Sequence, residues 1–113
     1  MSELTLGCTS RLNEGSCFAT IQTSAHNVGE AAFLRQQRAI MSRTDARSVL
    51  PSIRCSTLVM CGDQDALTPR DLHEEMAAAI PSAKLVVIDD CGHLTPLERP
   101  DLTTSALRAW LQS

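Results

Sequence analysis

Two residues of this chain could do acid–base chemistry together: Asp65, in the turn Gly62-Asp-Gln-Asp65, and His93, in the turn Cys91-Gly-His93. A carboxylate that accepts from one imidazole nitrogen fixes the ring's tautomer and stabilises its charged form. The other nitrogen is then left to act as a general base. Asp63, two residues before Asp65, competes for the acid role. Alone, Asp65 reads as a turn or capping residue and His93 as a loop histidine; their joint placement makes them candidate catalytic residues.

The placement depends on two short apolar runs. Thr57-Leu-Val-Met-Cys61 and Leu85-Val-Val-Ile88 are partly β-branched and apolar on both faces, as strands inside a parallel sheet are. Asp65 lies four residues past Cys61, and His93 five past Ile88. Between the runs, Thr68 is placed as an N-cap, Pro69 at the first helical position and Asp71 three after the cap. Leu72, Met76, Ala79 and Ile80 then follow at the spacing of one buried stripe, and Pro81 stops the helix. Strand, helix and strand over residues 57–89 predict a βαβ unit with a right-handed crossover and parallel strands. In an open α/β sheet, ligands and catalytic groups gather at the carboxyl ends of such strands. Gly92 suits a tight turn that aims the imidazole into a cleft.

Around this unit the chain is uneven. Residues 1–28 are rich in Ser, Thr, Asn and Gly and are expected to be irregular, with Phe18-Ala-Thr-Ile-Gln-Thr23 hinting at a short edge strand. From Gly29 helix formers dominate, and Phe33, Leu34, Ile40 and Met41 share a stripe. Asp45 to Leu50 adds a turn that Pro51 closes. Arg35, Arg38, Arg43, Arg47 and Arg54 make this region basic, as a solvated helix face or as an anion-attracting lid. After His93 a turn leads into a last helix, where Leu102, Ala106, Ala109 and Trp110 form a stripe that Leu107 and Leu111 broaden.

Composition removes several functions. A net charge of −3 and 3% aromatic residues disfavour nucleic acid as a partner. No apolar run approaches a membrane span and no signal peptide is visible, so a cytoplasmic location is expected. Cys8, Cys17, Cys55, Cys61 and Cys91 read as free thiols. Cys55, Cys61, Cys91 and His93 match no zinc spacing, so neither metal nor cofactor is expected.

Residues from about 30 to 113 resemble the C-terminal third of an α/β-hydrolase, in particular the small bacterial esterase and enol-lactonase-like branch. The resemblance is carried by Leu50 to Pro69 with its Gly-x-x-Asp-x-x-Thr-Pro string, by Ile80-Pro-Ser-Ala-Lys-Leu85, and by the Gly-His-x-x-x-x-Glu-x-Pro string ending at Pro100. It implies a partial α/β-hydrolase fold, a parallel βαβ unit with flanking helices. Residues 29–50 would be lid-like and residues 51–113 βαβα. It implies Asp65 as triad acid, His93 as triad base and a small carboxylic ester or lactone as substrate. His26 and His73 match nothing in it and are expected at the surface.

The family's nucleophile sits upstream of the acid in a Gly-x-Ser-x-Gly elbow. Here the glycines are at 7, 15, 29, 62 and 92, no two of them four apart. Ser16 and Cys17 are the nearest substitutes, and neither precedes a recognisable helix. Three readings follow: a truncated hydrolase whose nucleophile is lost or supplied by another polypeptide; a catalytically inactive remnant that serves as an interaction module; or a slow hydrolase in which His93 and Asp65 activate water directly. With one neighbour missing beside the 57–61 strand, self-association, a complementing chain, recruitment of residues 18–23 as a third strand, or marginal stability is expected.

Overall fold

The computed structural model describes residues 16–113, with side chains from residue 19 onward. In chain order the elements are α1 (Ser16–Val28), α2 (Glu30–Met41), a 3₁₀ turn (Arg47–Ser52), β1 (Thr57–Gly62), α3 (Arg70–Ala79), β2 (Ala83–Ile88), α4 (Thr95–Glu98) and α5 (Pro100–Leu111). The strands pair in parallel, with Thr57 opposite Ala83 and Gly62 opposite Ile88. A parallel pair needs a crossover, and α3 supplies it while packing on both strands. The buried core is Val59, Cys61, Ile80, Ile88 and Cys91. Cys61, Ile88 and Cys91 of this core lie at the carboxyl ends of the strands, where the two candidate residues emerge.

The helices depart from their expected phase in instructive ways. The helix after β1 has Pro69, not Thr68, as its N-cap, with no side-chain cap bond. Its inward face is His73, Met76, Ala77, Ala79 and Ile80, while Leu72 is 44% exposed. A polar residue can lead a buried stripe when it finds a partner locally, and His73 Nε2 finds one in Thr68. In α5 the inward residues are Thr103, Ala106 and Trp110, and Leu102, Leu107 and Leu111 face outward. Pro51 lies inside the 3₁₀ turn instead of closing a helix before it.

Residues 16–28, expected to be irregular, form helix α1, so segment 18–23 is not a third strand. Ile21, Ala25 and Val28 recur at helical spacing, but they are too few and small to stand out among Ser, Thr and Asn. Gly29, at φ 81°, ends α1 and separates it from α2. Ser16 and Cys17 thus open α1, and residues 1–15, including Cys8, lie outside the described residues. No helix of the described residues is long and apolar enough to cross a membrane.

Candidate active site

The turn after β1 and the turn after β2 are laced together by backbone. Asp63 N–H donates to Ile88 O at 3.0 Å and Gln64 N–H to Cys91 O at 2.8 Å. The approach is so close that a Cβ on Gly62 would fall 2.2 Å from Cys91 O and 2.3 Å from Gly92 O. Glycine is therefore required at the end of β1, where the two turns cross. The left-handed backbone of the second turn falls on Asp90, at φ 50°, and not on Gly92.

This crossing brings Asp65 and His93 together. His93 Nδ1 lies 3.0 Å from Asp65 Oδ2 and 3.2 Å from Oδ1. A carboxylate only accepts, so Nδ1 carries the proton and Nε2 has the free lone pair. The Asp65 side chain is 2% exposed against 35% for His93, which places a buried acid behind an accessible base. Asp65 also accepts from the N–H groups of Leu67 and Thr68, each at 3.0 Å to Oδ1, and from the Thr68 hydroxyl at 3.0 Å to Oδ2. Burial works to raise its pKa. The Thr68 N–H, the His93 ring and the Thr68 hydroxyl outweigh burial and hold the carboxyl below its ordinary range.

Asp63, the competing acid, points elsewhere: its Oδ1 accepts from Cys91 N–H at 3.1 Å and ties the turns. Cys61 is a core residue whose thiol is pushed up by burial and by the Asp65 charge, the opposite of an activated nucleophile.

Three residues near the pair carry roles that the spacing of the sequence did not assign. Thr68, expected as a helix cap, spends its hydroxyl on Asp65 and lies 3.3 Å from His93 Nδ1. Glu98, the acid of the Gly-His-x-x-x-x-Glu string, is buried and grips the base from both sides. Its Oε1 accepts from Gly92 N–H at 3.1 Å and its Oε2 from Leu94 N–H at 3.3 Å. A charged acceptor on the two amides flanking His93 fixes the backbone from which the ring projects. His73, expected at the surface, is 14% exposed, and its Nε2 is 3.8 Å from Asp65 Oδ2. His26 sits in the open groove between α1 and α2, away from these residues. Among the described residues no group of three or more His, Cys, Asp or Glu is placed to hold a metal.

Comparison with known proteins gives this geometry its family. The family model for the alpha/beta hydrolase fold matches residues 17–100, and the chain belongs to that family. The match begins within α1, ahead of the position near residue 30 where the resemblance of the sequence began. The pimeloyl-[acyl-carrier protein] methyl ester esterase of Aromatoleum aromaticum is 36% identical over 62 residues, covering 55% of this chain and 25% of that protein. Among solved structures, a thermophilic esterase from Thermogutta terrifontis is 45% identical with a TM-score of 0.61, over 63% of this chain and 26% of that one. An N-acyl homoserine lactone degrading enzyme is 40% identical with a TM-score of 0.54, over 56% of this chain and 24% of that one. The chain thus spans about a quarter of the length of these relatives.

Proposed function

We propose that Asp65 and His93 are the acid and base of a Ser-His-Asp hydrolase acting on small carboxylic esters or lactones. The serine comes from outside these 113 residues. The carrying observation is the 3.0 Å bond from His93 Nδ1 to a buried carboxylate already saturated by N–H and O–H donors. It leaves Nε2 as the nitrogen that takes a proton from a serine hydroxyl and returns it to the leaving alcohol. The ester and lactone classes are supported by the activities of the similar esterases and of the lactone-degrading enzyme. Asp63 is left out of the mechanism because its carboxylate serves the Cys91 amide.

A second reading, an interaction module working through the sheet edge, is supported by one observation. Among the described residues the sheet has two strands, so the outer edge of β1 has no strand partner and is a template for a second copy or a complementing chain.

One experiment separates the readings. The chain is assayed with a p-nitrophenyl ester and a serine-reactive fluorophosphonate, alone and mixed with the serine-bearing segment of a related esterase, with light scattering on both samples. The hydrolase reading expects neither turnover nor a labelled serine for the chain alone. It expects both in the mixture, with turnover falling about 10³-fold or more on His93→Ala. A mixture that associates but gives no turnover leaves the interaction reading standing. Turnover that His93→Ala does not change overturns the assignment of the base.

A further inference from the structure

The ring of His73 is largely buried, next to the pair but outside it. It occupies the fourth position of α3, and its Nε2 meets Thr68 twice: the carbonyl at 3.1 Å and the hydroxyl oxygen at 3.2 Å. The carbonyl can only accept, so Nε2 carries the proton. The other nitrogen, Nδ1, is buried with no hydrogen-bond partner, so all of the ring's hydrogen bonding runs through Thr68.

Thr68 Oγ1 is a junction. It lies 3.2 Å from His73 Nε2, 3.0 Å from Asp65 Oδ2 and 3.3 Å from His93 Nδ1. The hydroxyl has one proton and two lone pairs. Directed at Asp65, that proton leaves His93 Nδ1 protonated and Nε2 free to act as base. Directed at His93 Nδ1, it draws His93 toward the opposite tautomer, in which Nε2 bears the proton and cannot accept one.

We infer that His73 is a positioning residue for the acid–base pair. By donating from Nε2 to the Thr68 oxygens it orients the Thr68 hydroxyl onto Asp65 and so reinforces the base-competent tautomer of His93 that Asp65 sets. The inference rests on the reading of Asp65 and His93 as acid and base. An N–H donor behind the hydroxyl polarises it, and a chain of bonds ending on a carboxylate is strengthened cooperatively. His73 does this without touching His93, and at 3.8 Å it stands beyond hydrogen-bond distance of Asp65.

The test is ¹⁵N NMR of the 113-residue chain at a pH where the imidazoles are neutral, because the ring nitrogen shifts report each tautomer. In the wild-type chain His73 is expected as the Nε2–H form and His93 as the Nδ1–H form. His73→Leu should raise the Nε2–H fraction of His93 about twofold to threefold, the size expected of one cooperative bond. His73→Gln, whose amide can donate to the same oxygens, should restore the wild-type ratio. In a Thr68→Val background His73→Leu should have no further effect. A folded His73→Leu with an unchanged His93 ratio overturns the inference, and so does an equal effect in the Thr68→Val background. If His73→Leu does not fold, the wild-type spectrum still decides, since a His73 with its proton on Nδ1 excludes the donation. Asp65→Asn distinguishes the two levels. If it leaves His93 unmoved, the acid–base reading fails; if it moves His93 while His73→Leu does not, only the role of His73 fails.

Discussion

The unit from β1 to α5 and the helical pair α1–α2 are built from similar proportions of apolar residues and behave oppositely. The first contains all the buried residues of the described chain, including three polar ones, Asp65, Glu98 and Thr103. In the second, α2 has no buried residue, and its stripe lies open: Leu34 is 48% exposed, Ile40 50% and Met41 83%. Helical amphipathicity is thus present in both regions, but only one has a surface to place it against. In the first region packing does more than stabilise: it crosses two turns at Gly62 and sets an acid against a base. Among the described residues, the hydrogen bonds of Asp65 and His93 run to residues outside the helical pair. If the comparison is sound, substitutions of the same severity should differ several-fold in effect between the two regions.

The largest effect is expected at Gly62. A methyl group there meets the backbone of Cys91 and Gly92, not the end of a movable side chain. The turns must separate, breaking the Gln64–Cys91 bond and withdrawing His93 from Asp65. Gly62→Ala should cost about 3 kcal/mol or more, above the usual range for overpacking because backbone must yield. Urea unfolding measures this, and the His93 tautomer reports whether the pair survives. A Gly62→Ala chain of wild-type stability would show that the crossing is not what positions the site.

A middle-sized effect is expected from the charge of Asp65, and its sign can be worked out. The folded carboxyl titrates below its ordinary value, which is about 4 in an unfolded chain. Its ionised form therefore adds stability above about pH 4, and that stability is lost as pH falls through the lowered folded value. Asp65→Asn should lower stability at pH 7 by about 1–3 kcal/mol, the scale of a buried charged acceptor lost to its donors. The gap between wild type and variant should close in acid. A gap that is independent of pH would assign the loss to packing instead of charge.

These expectations show which parts of the molecule were legible in its sequence. The parallel strands, the crossover helix and the meeting of Asp65 with His93 follow from strong local signals: two apolar runs, two glycine-bearing turns and a proline at a helix start. What was not legible depended on distance or phase. His73 joins Met76, Ala79 and Ile80 on the inward face where Leu72 was expected, and the Thr68 hydroxyl goes to Asp65 instead of capping the helix. Glu98 was visible as a motif residue, but its grip on Gly92 and Leu94 exists only once α4 turns back on the base. Helix α1 was missed because a helix that buries little needs little apolar periodicity, so its sequence resembles a loop.

The smallest effect should come from the helical pair, and it is the sharpest check on the comparison because the expected change is near zero. Leu34 and Ile40 are large apolar residues on one stripe, and in a packed helix replacing both by serine would cost several kcal/mol. Here each is about half exposed and α2 buries nothing, so there is little transfer free energy to lose. Leu34→Ser with Ile40→Ser should change the unfolding free energy of the isolated chain by no more than about 0.5 kcal/mol, as exposed substitutions do. It should leave the Asp65–His93 pair untouched. A loss of about 2 kcal/mol or more would mean that this stripe is covered in solution, by a second copy or by a complementing chain. Concentration dependence of that loss would identify the second copy, because stability gained by association follows mass action and the stability of a lone chain does not.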